Sequence, residues 1–276
     1  MKLLNAALRC AGGGVRLLAR TAFGLCLSAS VALACPTGCE PALNPDETLV
    51  FGPMKVSRWL AETVVRAAET TGVDPSYLMA LADKESSLLP AVKAGTSSAE
   101  GLFQFLEGTW LEVVRRYAAK HGFDAAAEAV QVVRGQVGVA DPAQRAWVLN
   151  LRRDPYFSAL MAGEMINTHR QILAGQAQRD PSFSELYMAH FLGVHGASRF
   201  LELLEAKPTE SAARAFPRAA KANRAIFVQT AKTGKAKPKP LTLADVRDRF
   251  EGMIVGRVAR YEAVRETVGG SVVASN

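Results

Sequence analysis

Cysteine is scarce, four residues in 276, so a small fold stapled by several disulfides is excluded. The four histidines, His121, His169, His190 and His195, stand at no ligand-like spacing. With two cysteines beyond the N-terminal stretch they do not make the roughly four-ligand set of a structural zinc site, so no metal and no other cofactor is expected. No acid precedes Glu40, and the uncharged stretch Thr21 to Leu33 has thirteen residues, short of the roughly 20 that cross a bilayer as a helix. No repeat period is present, and no strand alternation runs beyond a few residues.

What is present is an apolar fraction of 49%, which excludes disorder and suffices for one core of ordinary size. The net charge of +7 is unevenly placed. Lys2, Arg9, Arg16 and Arg20 fall in the first 39 residues; residues 40–206 hold 15 bases and 20 acids; residues 207–240 hold nine bases and one acid; residues 241–276 hold five of each. A basic strip on a mildly acidic body argues against a nucleic-acid module, which spreads positive charge over its folded face. The basic C-terminal region is instead a candidate surface for an envelope assembly partner.

The basic start, the stretch Thr21 to Leu33, and Ala32-Leu33-Ala34 before Cys35 have the layout of a secretory signal peptide, residues 1–34, which predicts export to the periplasm. Cys35 and Cys39 then remain. They close a small disulfide loop, or Cys35 carries a lipid anchor, in which case the chain meets the membrane.

Helix punctuation predicts a mainly α fold. Val56 to Thr71 repeats Trp59, Leu60, Val64 and Ala67 at helical spacing before Gly72. Asp74-Pro75 opens a helix that ends near Pro90, and Asp154-Pro155 opens Tyr156 to Ala174, with Leu160, Met161, Met165 and Ile166 buried and Gly175 as the stop. Further helices are expected over Trp110 to Lys120, Phe183 to Leu192 and Ala197 to Ala206. Two short ones are expected between His121 and Arg153, and a last amphipathic helix from Leu243 to about Thr267 with Val246, Phe250, Met253, Ile254 and Val258 on one side. The divisions are residues 35–55 as an N-terminal segment, 56–206 as the main domain, 207–240 as basic helical fragments and linker, and 241–276 as a C-terminal amphipathic helix.

Tyr77, Leu81 and Glu85 are spaced by four, so Glu85 shares an otherwise apolar helix face. Burial and the negative end of a helix dipole both favour a protonated carboxyl there, the form a general acid needs. Asp83 faces elsewhere on the helix, and Glu100 and Glu107 flank a loop-like segment where solvation is expected.

Three ordered segments follow: Glu85-Ser86; Gly101-Leu102-Phe103-Gln104; and Ala189-His190-Phe191-Leu192-Gly193 with Gly196-Ala197. Together they resemble the motifs of lytic transglycosylases of the soluble (SLT) type, in the lysozyme-like superfamily, over roughly residues 56–206. The resemblance implies a lysozyme-like α-helical domain, to which the expected C-terminal helix adds a helical extension. Its substrate would be the peptidoglycan glycan strand, cut between N-acetylmuramic acid and N-acetylglucosamine with 1,6-anhydro ends. It implies Glu85 as the catalytic residue, acid and then base, without the second carboxylate of ordinary glycosidases.

The same resemblance makes Ser86, Phe103 and Gln104 candidate substrate-binding residues, and Tyr187 and His190, which can donate or accept a hydrogen bond, join them at the third segment. Ser86 would orient Glu85, Gln104 would hold a sugar amide or hydroxyl, and the backbone at Phe103 would line the cleft. The third motif departs from the common Ala-Tyr-Asn-Ala-Gly. Tyr187, two residues before Ala189, replaces the missing tyrosine only with a register change, because helix neighbours two apart point roughly opposite ways. Two other functions compete: a muramidase using water on the same fold, and a non-catalytic wall-binding scaffold.

Overall fold

Local capping chemistry sets most of the boundaries. The computed structural model describes residues 44, 46–133, 135–229 and 239–269. The expected leader, Cys35, Cys39, the lysine-rich run 230–238 and residues 270–276 lie outside the described residues.

The described chain opens with the antiparallel hairpin β1 (Thr48–Phe51) and β2 (Met54–Ser57), which buries Leu49, Phe51 and Val56. Val56 therefore lies in a strand instead of opening the helix, and α1 runs Arg58–Thr71 from Ser57, whose side chain accepts from the Leu60 amide. Leu60, Val64 and Ala67 are buried as expected, while Trp59 faces outward at 51% exposure.

Asp74 caps α2 (Pro75–Ser86), accepting from the Ser76 and Tyr77 amides, with proline at its first turn. The helix stops four residues before Pro90, because Ser87 and Leu88 both turn left-handed, at φ 53° and 62°. Next come α3 (Glu107–Tyr117), α4 (Asp124–Ala129), the hairpin β3 (Gln131–Val133) with β4 (Gln136–Gly138), and α5 (Pro142–Asn150). Within this region α3 and α5 are tied together: the buried Trp110 indole donates to the Val148 carbonyl at 2.8 Å.

The central helix is α6 (Pro155–Ala177), capped by Asp154 and buried along Leu160, Met161, Met165 and Ile166. Gly175 lies inside it, and the left-handed stop is Gln178. At Gly163 α1 comes so close that an added Cβ would lie 2.3 Å from Thr71 Oγ1.

Two helices, α7 (Phe183–Leu192) and α8 (Val194–Ala206), meet at Gly193. The short helices α9 (Ala212–Ala215), α10 (Pro217–Ala222) and α11 (Arg224–Phe227) lead to the pairing of β5 (Val228–Gln229) with β6 (Lys239–Pro240).

The C-terminal helix is two: α12 (Leu243–Arg260), opened by a Thr242/Asp245 capping box, and α13 (Val264–Val268), separated by a turn at Tyr261. Val246, Phe250 and Ile254 are buried against α2 and α7. Arg58 at the start of α1 donates to the carbonyls of Thr267 and Val268 at 3.1 and 3.0 Å. The described residues thus form one mainly α body, with its C-terminal helices packed into the core around α2. Among the described residues no helix is long and apolar enough to cross a membrane.

Candidate active site

Glu85 occupies the last turn of α2 and is sheltered, its side chain 17% exposed. Two contacts join it to the other motifs. Its neighbour Ser86 donates from Oγ to the Leu102 carbonyl at 2.8 Å, with the Ala82 carbonyl at 3.1 Å, which ties the end of α2 to the loop 101–104. Its Oε1 lies 3.7 Å from Nε2 of His190 on α7.

The loop is rigid for steric reasons. Gly101 sits at φ 86°, and a Cβ there would fall 2.0 Å from the Arg152 carbonyl oxygen, so only glycine fits. Phe103 is fully buried, so its side chain packs the core and its backbone alone can face a ligand. Gln104 takes φ 49° and donates from Nε2 to the carbonyls of Val92 and Gly101 at 3.0 and 2.9 Å. Its two amide protons are spent on the loop, leaving Oε1 for other partners.

Glu100 is not solvated. It is 6% exposed, with Arg152 Nη2 at 2.9 Å and Arg153 Nε at 2.6 Å, and Arg152 also donates to the carbonyls of Ser98 and Phe105. Glu107 pairs with Arg145 on α5. Asp83 does face away from Glu85, but into the interior. At 4% exposure it accepts from Arg260 Nη1 and from the Tyr261 hydroxyl at 3.0 Å, with Arg257 Nε at 3.6 Å. Sequence reasoning missed this anchor; its only local signal was an aspartate inside an otherwise apolar helical stretch.

Tyr187 and His190 are three residues apart, so they share a face of α7 and both stand against Glu85. The expectation that Tyr187 needs a register change fails for this reason: the relevant spacing is three, about one turn. Tyr187 is 2% exposed, and burial, followed by the adjacent Glu85 carboxylate, pushes its phenol well above the ordinary range. Tyr77, one face of α2 below Glu85, is fully buried with its hydroxyl unpartnered, and burial raises it likewise. His169 of α6 was also missed. Burial, with a smaller contribution from His190, lowers its imidazole to about 4, so it is neutral at physiological pH.

Among the described residues no lysine or arginine nitrogen lies within salt-bridge range of Glu85, whereas Asp83 and Glu100 each hold two and the buried Glu164 holds one. A carboxyl without such a counter-charge can release and recover a proton without breaking an ion pair. A cavity of about 850 Å³ lies elsewhere, bounded by Phe183, Met188, Leu201, Glu251 and Val255, and Glu85 does not line it.

Residues 62–130 match the family described as the transglycosylase SLT domain. The match takes in Glu85, Ser86 and Gln104; the segment from Tyr187 to Gly193 lies beyond it. An SLT domain supports, in general terms, lytic transglycosylase activity on peptidoglycan. Within this mainly α body, residues 62–130 thus match the transglycosylase SLT domain, a domain of the lysozyme-like superfamily.

Proposed function

We propose that this protein is an exported lytic transglycosylase that cuts peptidoglycan glycan strands in the periplasm, with Glu85 as its single catalytic carboxyl. One observation carries the reading: Glu85 is sheltered, faces His190 and Tyr187 with no guanidinium or ammonium in salt-bridge range among the described residues, and is tied through Ser86 to the Gly101–Gln104 loop. The layout of residues 1–34 supports export, where this substrate lies.

The protonated carboxyl of Glu85 gives its proton to the glycosidic oxygen as the bond from muramyl C1 to that oxygen breaks. The resulting carboxylate takes the proton of the muramyl 6-hydroxyl as O6 bonds to C1, closing the 1,6-anhydro ring and restoring the acid. Nothing further has to be supplied. A hydrolase of the two-carboxylate kind needs a second acid at the site. Of the acids near it in sequence, Asp83 and Glu100 are turned to arginines and Asp74 caps the far end of α2, which favours the substrate's own hydroxyl as nucleophile.

Digestion of purified sacculi followed by mass spectrometry tests this. Products ending in anhydromuramic acid are expected, and Glu85→Gln is expected to abolish them while the thermal unfolding midpoint stays near wild type. Hydrated reducing ends would mark a muramidase, and intact sacculi a scaffold; turnover persisting in Glu85→Gln would remove Glu85 from the chemistry.

A further inference from the structure

The histidine in the third motif is not accounted for by packing alone. His190 Nδ1 is buried with no hydrogen-bond partner, while Nε2 points to Glu85 Oε1 at 3.7 Å. A buried N–H without an acceptor is less tolerable than an unfilled lone pair, so the proton of the neutral ring belongs on Nε2. The N–H therefore faces the carboxyl. The gap exceeds a hydrogen bond by a few tenths of an ångström, a looseness common before substrate binds.

The other groups around this pair add no fixed charge to it, although the Tyr187 phenol also stands against the Glu85 carboxyl. His169 of α6 is neutral, Tyr77 of α2 and Tyr187 of α7 keep their phenolic protons, Lys84 sits over the Tyr187 ring at 5.7 Å from its centroid, and Arg257 of α12 is directed to Asp83.

We propose that His190 is a positioning residue for Glu85: its Nε2–H takes Oε1 and leaves Oε2 as the oxygen that exchanges a proton with the glycan. This rests on the reading of Glu85 as acid and base. The contact strengthens as the carboxyl becomes a carboxylate, that is, as the leaving group departs. It therefore acts on the transition state more than on the bound substrate. It also gives the altered motif a function in place of the missing tyrosine.

The test is steady-state kinetics of the full chain on solubilised glycan strands, comparing wild type with Glu85→Gln, His190→Phe, His190→Gln and His190→Asn. Phenylalanine keeps the ring and removes the donor. Loss of one hydrogen bond to a forming charge predicts kcat lower by about 10- to 100-fold, with KM within about twofold. Glutamine carries an N–H to about the place of Nε2 and is expected to restore kcat to within about fivefold of wild type; asparagine, too short, is not. The unfolding midpoint of His190→Phe should not fall, since the variant removes an unpartnered buried nitrogen.

Near wild-type kcat in His190→Phe would overturn the proposal, as would equal losses in glutamine and asparagine. Should the phenylalanine variant fail to fold, the two amides decide. An inactive wild type sinks the enzymatic reading itself; an active wild type with an inactive Glu85→Gln and an indifferent His190 sinks only the positioning role.

Discussion

Replacing Asp83 by asparagine isolates the charge that fastens the C-terminal helices to α2. The carboxylate is 4% exposed, binds Arg260 Nη1 and the Tyr261 hydroxyl, and has Arg257 Nε at 3.6 Å. Removing one partner of a buried pair destabilises by about 3–5 kcal/mol. Two features set the value at the lower end: the Arg260 and Arg257 side chains are 23% and 31% exposed and can regain water, and asparagine still offers Tyr261 an acceptor. A loss of about 3 kcal/mol follows, or a fall in unfolding midpoint of about 6–12 °C for a body of this size. Thermal unfolding followed by circular dichroism measures it directly. Because Arg260 acts through the same contact, Asp83→Asn combined with Arg260→Gln should lose at least about 1 kcal/mol less than the sum of the two single changes. A midpoint shift below about 2 °C, or strictly additive losses, would refute the view that this network holds α12 to the helix bearing Glu85.

Gly101→Ala should destabilise by about 3 kcal/mol or more in urea unfolding, since φ 86° and the Arg152 carbonyl 2.0 Å from the new Cβ both oppose a side chain. His169 gives a pH dependence whose sign follows from its low folded value, about 4 against 6.5 when unfolded. Its contribution is full above pH 6.5 and is lost as pH falls toward 4, at most about 3 kcal/mol. His169→Gln should flatten that part of the profile in urea titrations at pH 7, 5.5 and 4; an unchanged slope would remove His169 as its source.

Legibility in the sequence followed the range of the forces involved. Asp74-Pro75 and Asp154-Pro155 announce α2 and α6 because an N-cap is a contact among neighbours. The buried stripe Leu160, Met161, Met165 and Ile166 is equally local, since it needs only helical period. Gly175 misleads because glycine permits a left-handed turn without requiring one, and α6 continues to Gln178. Glu100 misleads for a different reason: its arginines are 52 and 53 positions away, and nothing near it in the chain foretells burial. The Asp83 anchor spans 177 positions to Arg260, so the C-terminal region reads as an appendage although α12 lies against α2.

These long-range pairs also separate the carboxylates by task. Asp83 and Glu85 lie two positions apart on one helix, so they point to different sides, one toward α12 and its arginines and the other toward α7. The arginines that neutralise Asp83 and Glu100 make those acids structural, since moving a proton onto either would unpair a guanidinium that holds the C-terminal helices or the loop 98–105. Glu85 has an imidazole and a phenol in their place, both able to hydrogen-bond a carboxyl in either protonation state without a fixed charge. The same helix can therefore be clamped at Asp83 without bringing a fixed charge to Glu85 two residues on, which is what the proposed role of Glu85 requires.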